Sequence, residues 1–229
     1  MLQLKHKIVT RWTHWANSIV LLLMIWSGIL IYWAHDVYHI TIGSLTLKFF
    51  PDWFYSTLRI PSHLADGMAI HFTLMWLFAI IGLTYVIHTL VSGEWRHLVP
   101  GRNALPDAIS VTLIDAGLKR GPLPPQGRYN AAQQIAYSSI ILMGLGSILT
   151  GFAIYKPTQL AWLTWLFGGY ETARLIHFAL TLGYLLFLVI HVLQVIRAGW
   201  HNFTSMISGY EPVGAPATNT LPGKVGSSQ

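Results

Sequence analysis

The chain has 229 residues, of which 53% are hydrophobic and only 10% are charged. Because a soluble domain of this size usually carries about 25% charged residues, this composition argues against a water-soluble surface and against disorder. Cysteine is absent, which excludes disulfides, thiolate catalysis and iron–sulfur clusters, whereas 11 histidines outnumber the 8 acidic residues.

Four stretches without Asp, Glu, Lys or Arg predict four transmembrane helices. Each stretch has 22 to 27 residues, and a helix needs about 20 apolar residues to cross the hydrocarbon core. A signal peptide is the alternative for the first stretch, but that stretch is too long and no Ala-x-Ala-like cleavage site follows Tyr32. The predicted spans are residues 12–35, 67–93, 129–155 and 175–197.

The basic residues between the spans predict the orientation of the chain. With four spans both termini share one side, and that side collects ten Lys and Arg residues against four on the other side. The four are Lys48, Arg59, Lys156 and Arg174. Since cytoplasmic loops are the more basic ones, we expect both termini in the cytoplasm of a bacterial inner membrane. The net charge of +6 therefore reflects topology and predicts no nucleic-acid partner.

The segments outside the spans complete the expected fold. Aromatic residues at 51–55 and 160–167 are typical of short helices at the membrane interface, with a partner-docking surface as the alternative. Residues 94–128 are rich in Pro and Gly and are expected to be irregular. Residues 209–229 are expected to form a flexible cytoplasmic tail after a membrane domain of residues 1–208. The sequence thus predicts an all-α, integral membrane four-helix bundle with short interfacial helices.

Five histidines lie within the predicted spans and away from their outer ends, where an ionisable side chain is costly and indicates function. In the fourth span, His177 and His191 are 14 residues apart, about 40° short of four full helical turns and about 21 Å along the axis. They leave nearly the same face at two depths, as expected for a helix that offers one axial ligand to each of two haems. The other three are His14, His71 and His88.

Depth in the predicted topology assigns the second ligand of each haem iron. His71 matches the outer depth of His177, and His14 matches the inner depth of His191. His88 is the reserve inner ligand, because it lies about 100° from the His71 face and about one turn beyond His191.

Three alternatives to haem ligation remain for the four chosen histidines. A packing role through hydrogen bonds is the simplest of them. A small metal ion is disfavoured because two pairs about 20 Å apart cannot converge on one ion. A proton relay is disfavoured because relays usually include carboxylates, and none lies inside a predicted span.

Small and basic residues lie close to the predicted ligands along the chain. Gly28 and other glycines within the spans would let either a porphyrin or a neighbouring helix approach the backbone. Arg11 and Arg174 each lie three residues from a predicted ligand and would meet either a haem propionate or a lipid phosphate.

The Arg-Trp-Thr-His-Trp segment at residues 11–15, the early histidine of the second span and the His177/His191 pair resemble a known family. They are similar to the membrane cytochrome b subunits of formate dehydrogenase, nickel–iron hydrogenase and thiosulfate reductase complexes, most of all the last. The resemblance covers residues 5–200. It implies two b-type haems, the outer one ligated from the second and fourth spans and the inner one from the first and fourth.

The resemblance also implies a quinone or quinol, either menaquinone or ubiquinone, near the inner haem. The family has an Asn-x-Gly-Gln-like motif at the start of the third span, where this chain has Asn130-Ala131-Ala132-Gln133. Asn130 and Gln133 become candidate quinone contacts, with His191 beside them, although Ala132 replaces the glycine. Helix capping is the alternative role for Asn130 and Gln133.

Three functions are compatible with the sequence. The first is an electron-transfer subunit that links a quinone pool to a periplasmic oxidoreductase, which the resemblance suggests is of the molybdenum-cofactor type. The second is a self-contained di-haem cytochrome that oxidises a small diffusible reductant such as superoxide and reduces quinone. The third is a non-redox membrane protein. No catalytic nucleophile or acid–base pair is visible, so in the first case the substrate chemistry belongs to the partner.

Overall fold

A computed structural model describes residues 2–34, 37–60, 63–125 and 127–212. The helices in chain order are α1 (Ile8–Trp33), α2 (Asp52–Thr57), α3 (Leu64–Val91), α4 (Trp95–Leu98), α5 (Ala104–Asp115), α6 (Ala131–Tyr155), α7 (Ala161–Leu166), α8 (Tyr170–Ala198) and α9 (Trp200–Ser208). The strands are β1 (Leu2–Leu4), β2 (His39–Ile42), β3 (Leu45–Lys48) and β4 (Tyr210–Pro212).

Helices α1, α3, α6 and α8 are long and apolar enough to cross a membrane, with 26, 28, 25 and 29 residues. At about 1.5 Å per residue, each of them exceeds the hydrocarbon thickness of about 30 Å. Large apolar side chains point outward along them; Leu83 in α3 is 61% exposed and Leu186 in α8 is 63% exposed. The prediction of an all-α membrane protein with four spanning helices is confirmed, and the side on which the termini lie stays a prediction.

The segments between the long helices are more regular than their composition indicates. Helices α2 and α7 form within the two aromatic segments, whereas their place at the membrane interface stays a prediction. The expectation that residues 94–128 are irregular is wrong for α5, which has 12 residues. Its one proline, Pro106, falls in the first helical turn, where a missing N–H leaves no hydrogen bond unmade. Composition misled here because most Pro and Gly residues flank α5.

Two short antiparallel ladders were not expected from the sequence. Strands β2 and β3 form a hairpin whose turn contains Gly43 at a positive φ of 62°. Strands β1 and β4 pair the two ends of the described chain, with Leu4 opposite Tyr210. The beginning of the expected C-terminal tail is thus paired, and residues 213–229 of that tail lie outside the described residues.

The described chain divides into two compact units. The first unit comprises residues 12–84, and the second comprises residues 2–11 with the described residues from 85 onward. In the first unit, α1 and α3 approach closely at Gly67, where an added Cβ would lie 2.8 Å from Leu30 Cβ and 3.2 Å from the Ser27 carbonyl oxygen. Only glycine permits this approach, because real Cβ atoms do not come so near to another Cβ.

In the second unit, α6 and α8 pack antiparallel along their length. A Cβ on Gly146 would lie 3.2 Å from Leu180 Cδ1, and a Cβ on Gly144 would lie 3.8 Å from the Tyr184 hydroxyl. Small residues on α6 therefore receive larger side chains from α8, which is the usual way in which membrane helices gain contact area.

The N-terminal segment is tied to the second unit by polar contacts. The Lys5 ammonium donates to Asn202 Oδ1 at 3.0 Å. The largely buried Glu94 carboxylate pairs with Lys7 at 3.2 Å and with Arg128 at 3.6 Å. These contacts fasten the residues before α1 to α9 and to the residues that precede α4 and α6.

The close approach at Gly67 predicts a packing defect when a methyl group is added. We expect Gly67→Ala to lower the unfolding free energy by about 1–3 kcal/mol, because α1 and α3 must move apart. The matched control is Gly82→Ala in the same helix, where no atom lies within 4 Å of the added Cβ. Thermal unfolding in detergent measures both variants, and equal stability of the two would contradict the packing argument.

Candidate functional site

His71 on α3 is held by a hydroxyl group from α1 within the first unit. His71 Nδ1 and Ser27 Oγ are 3.0 Å apart, and the Ser27 hydroxyl also lies 3.1 Å from the Met24 carbonyl oxygen. A hydroxyl has one proton, and only the hydroxyl can donate to a carbonyl. The Met24 backbone also forms a hydrogen bond with the His71 ring. We therefore assign the Ser27 proton to Met24 and a proton to His71 Nδ1, which faces Ser27 Oγ, so that the ring carries its lone pair at Nε2.

His177 on α8 is held in the same way by α6 within the second unit. His177 Nδ1 and Thr150 Oγ1 are 2.9 Å apart, and the Thr150 hydroxyl donates to the Gly146 carbonyl oxygen at 2.7 Å. The same argument assigns the His177 proton to Nδ1 and its lone pair to Nε2. Ser27 and Thr150 are both completely buried.

A glycine follows each of these hydroxyl residues and lies beside the ring. A Cβ on Gly28 would be 3.7 Å from His71 Cε1, and a Cβ on Gly151 would be 3.4 Å from His177 Cε1. The next nearest ring atom is Nδ1 in both cases, at 4.0 Å and 3.9 Å, so each glycine lies beside the Nδ1–Cε1 edge of the ring that meets the hydroxyl. Gly28, which the sequence predicted to lie near a haem, is thus placed beside a predicted ligand.

The donor set of these two residues fits a haem iron. An imidazole that donates through Nδ1 and keeps a lone pair at Nε2 is in the tautomer that ligates metals. Across the described ranges no group of three or more His, Cys, Asp or Glu side chains is arranged around a metal ion. A haem iron requires no such group, since the porphyrin supplies its equatorial ligands and the protein only the axial ones.

The other three histidines have different surroundings. His14 on α1 contacts Trp15 edge to face at 5.2 Å, and His191 on α8 stacks on Phe187 at 5.6 Å. His88 Nε2 is buried and has no hydrogen-bond partner among the described residues. His88 therefore stays the reserve inner ligand.

The predicted ligand pairs each draw on both units. His14 and His71 belong to the first unit, and His177 and His191 belong to the second. The pairing therefore stays a prediction from depth in the sequence. Helix α8 is continuous from Tyr170 to Ala198, so its two histidines keep the spacing of about 21 Å along one helix.

The two arginines predicted near the haems already have partners in the protein. Arg11 donates from Nη2 to the Ile207 carbonyl oxygen near the C-terminal end of α9. Arg174 donates to Glu171 Oε2 at 3.3 Å and lies 5.8 Å from the centre of the Tyr170 ring. Capping of α9 and an ion pair within α8 are thus the observed roles, and contact with a propionate stays a prediction.

Asn130 and Gln133 form a capping box at the start of α6. Asn130 Oδ1 accepts from the Gln133 backbone N–H at 2.8 Å, and Gln133 Oε1 accepts from the Asn130 backbone N–H at 3.0 Å. The capping role that the sequence left open is therefore present. It uses only the two carbonyl oxygens, so the side-chain NH2 groups are the donors with which these residues would contact a quinone.

Ser27, Thr150 and a tyrosine pair were missed by the sequence reasoning. The two hydroxyl residues share a signal, since each precedes a glycine within the span before the histidine span. Tyr137 follows Gln133 by one helical turn and meets Tyr129 edge to face at 5.2 Å. Tyr137 therefore lies on the same α6 face as Gln133, and Tyr129, which precedes α6, packs against it.

Comparison with known proteins gives the family of the chain. Residues 5–209 match the family described as prokaryotic cytochrome b561, a range that includes all four long helices. A curated protein of Azospira oryzae, named "Putative protein-methionine-sulfoxide reductase subunit YedZ1", is 30% identical over 186 residues. The aligned region covers 81% of this chain and 86% of that relative.

The capping box allows the two roles of Asn130 to be separated. Asn130→Asp keeps the oxygen that caps α6 and removes the NH2 group, whereas Asn130→Ala removes both. We expect the alanine variant alone to lose about 1 kcal/mol of stability, because Asp and Asn cap equally well. If the NH2 group contacts quinone, both variants slow the reduction of the protein by a quinol analogue, as followed by stopped-flow absorbance. Normal kinetics in the aspartate variant would leave capping as the role of Asn130.

Proposed function

Because the chain belongs to the prokaryotic cytochrome b561 family, we propose that it is a di-haem cytochrome that carries electrons across the membrane. Membership confirms the cytochrome b resemblance and makes the chain a multi-pass membrane haem protein with b-type haem. It also removes the non-redox membrane protein from the three functions considered. The count of two haems, the quinone and the partner are our proposal.

The matched surroundings of His71 and His177 carry the proposal. Each ring donates its Nδ1–H to a fully buried hydroxyl, which leaves Nε2 as the ligating nitrogen. A role in packing alone does not require the same tautomer and the same adjacent glycine at histidines in two separate helix pairs. Two independent occurrences of one arrangement support a shared chemical task.

We propose that His71 and His177 ligate the outer haem and that His14 and His191 ligate the inner haem. Bound haem supplies reversible one-electron transfer between the ferric and ferrous states of its iron. The spacing of His177 and His191 along α8 supports two haems at different depths, so that electrons cross the membrane in two steps.

At the predicted cytoplasmic side, Asn130 and Gln133 offer their side-chain NH2 groups to the oxygens of a quinone or quinol. Their capping contacts fix both side chains at the start of α6, so the donors are oriented before a ligand arrives. At the outer side, the electrons are exchanged with a periplasmic oxidoreductase, for which we propose the molybdenum-cofactor type. The name of the Azospira oryzae protein, a reductase subunit, supports a role in a complex.

The second function, a self-contained di-haem cytochrome that oxidises a small anion such as superoxide, has less support. Such an enzyme requires a basic entry at the outer face, because a positive surface steers an anion to its site. Two of the predicted outer cations are instead paired with carboxylates: Lys48 with Asp52 at 3.2 Å, and Arg174 with Glu171 at 3.3 Å. Both pairs reduce the attraction of this face for an anionic substrate.

The proposal predicts two haems per chain and the loss of one with either outer ligand. We expect the purified protein to show b-type absorbance bands and two haems by pyridine haemochrome assay. His71→Ala and His177→Ala should each retain one haem, and added imidazole should restore binding of the second. A wild-type protein without haem bands would refute the cytochrome, and two haems in both variants would refute the outer ligand pair.

Two substitutions, one at each candidate for the inner ligand, test which histidine pairs with His191. We expect His14→Ala to lose the inner haem and His88→Ala to retain it, because only His14 matches the predicted depth of His191. The haem count and the low-temperature α-band of each variant give the answer. Loss of a haem in His88→Ala with two haems in His14→Ala would exchange the roles of these histidines.

A further inference from the structure

We infer that Ser27 and Thr150 are positioning residues that set the reduction potential of the outer haem through the Nδ1 protons of its ligands. This inference rests on the proposed ligation by His71 and His177. Each hydroxyl accepts a hydrogen bond from Nδ1–H, fixes the ring plane and would make the imidazole a stronger electron donor to a bound iron. The outer haem is then harder to reduce than it would be with rings that lack this hydrogen bond.

The two hydroxyl groups stand in equivalent positions on different helices. In each case the residue lies on the long helix that precedes the histidine helix, and a glycine follows it directly. Both hydroxyls have no exposed surface, and each lies within 3.0 Å of an Nδ1 atom. The same arrangement of hydroxyl, glycine and histidine therefore occurs twice, once in each unit.

The direction of both hydrogen bonds follows from the second contact of each hydroxyl. Ser27 lies within hydrogen-bond distance of the Met24 carbonyl, and Thr150 of the Gly146 carbonyl, which are three and four residues earlier in the same helix. Since carbonyl oxygens only accept, the single hydroxyl proton is committed to them. The oxygen lone pairs then face Nδ1, and the ring must be the donor.

This direction has a defined electronic consequence. A ligating imidazole that donates Nδ1–H to an acceptor becomes more basic at Nε2, which favours the more positively charged ferric iron over the ferrous iron. The acceptors are neutral oxygens, namely the two hydroxyls and, for His71, also the Met24 backbone, so none of them is a base that would remove the proton from the ring. Removal of the hydroxyl weakens donation by the ring and therefore raises the reduction potential.

The glycines leave room beside each ring. A Cβ on Gly28 or Gly151 would lie 3.7 Å or 3.4 Å from ring Cε1, so the space that a side chain would fill stays open to movement of the ring. A ring that has lost its hydroxyl partner is then less constrained in its orientation. The ring orientation is thus a second property that the hydroxyl controls, and it is visible in the EPR g values of a low-spin haem.

The test uses Ser27→Ala and Thr150→Val in the full-length protein. Potentiometric titration of the α-bands measures both haems, and the His71→Ala protein, which keeps only the inner haem, assigns the bands. We expect the outer haem to become easier to reduce by about threefold to tenfold in its equilibrium constant, where tenfold equals 59 mV for one electron. The inner haem should keep its potential. Ser27→Thr and Thr150→Ser restore a hydroxyl and should restore the outer potential.

Two hydroxyl residues near the same histidines serve as matched controls. Thr181 Oγ1 donates to the backbone carbonyl of His177 at 3.1 Å, and Thr73 Oγ1 donates to the carbonyl of Ala69 at 2.7 Å, so neither is bonded to a ring nitrogen in these contacts. Thr181→Val and Thr73→Val should leave both potentials and the EPR spectrum unchanged.

The outcomes separate this inference from the proposed function. Two haems with unchanged potentials and g values in both test variants would overturn the inference and leave the haem ligands intact. Equal shifts in the control variants would also overturn it, because they would indicate a general packing effect. Loss of the outer haem in a test variant, with recovery in its hydroxyl-restoring variant, would support positioning by the hydroxyl. Absence of haem from the wild-type protein would instead refute the proposed function.

Discussion

Hydrocarbon offers no hydrogen-bond partner, so a histidine placed inside a membrane must find every partner within the protein. This constraint governs the surroundings of His71 and His177. Charged partners are excluded, because the charge-free segments that make the helices apolar enough to span a membrane contain no carboxylate. A serine and a threonine provide the neutral acceptors instead. Each can do so while buried because its own proton is used within its own helix, by a carbonyl one turn earlier.

The segment of α1 around Ser27 contributes both to the packing against α3 and to the hydrogen bond with His71. Ser27 accepts from His71 through its side chain, and its backbone carbonyl lies against Gly67 on the next turn of α3. The distance between these helices therefore also fixes the length of the hydrogen bond to the ring. In the second unit, Thr150 and Gly151 combine the same two tasks against α8. Ligand geometry and helix packing are coupled in both units, so stability and spectroscopic properties are expected to respond together to changes at these positions.

The sequence predicted what depends on composition and spacing, and it missed what depends on which helix faces touch. Charge-free length was sufficient for the four spanning helices, and the spacing of His177 and His191 was sufficient for one helix face. The contacts of Ser27 and Thr150 could not be predicted, because nothing in a single sequence states which residue of one helix meets a given residue of another. Helix α5 was missed because its composition resembles a loop although its Pro and Gly residues stand mainly at its ends. Asn130 was predicted as either a cap or a quinone contact, and the structure gives it the cap without removing its NH2 donor.

Because the Ser27 and Thr150 hydroxyls are neutral, the proposed function separates electron transfer at the outer haem from proton transfer. A carboxylate beside Nδ1 could take up the ring proton, and the oxidation state of the iron would then be linked to pH. A hydroxyl whose proton is already donated to a carbonyl has no such capacity at ordinary pH, so the ligand keeps the same protonation in both states. In the proposed function, electrons would therefore pass the outer haem without an accompanying proton. Quinone chemistry does require protons, and the Glu94 carboxylate pairs with Lys7 and Arg128 in the same unit as Asn130, outside the charge-free spans. In the proposed function, proton exchange therefore belongs to the quinone end of the protein and not to the ligands of the proposed outer haem.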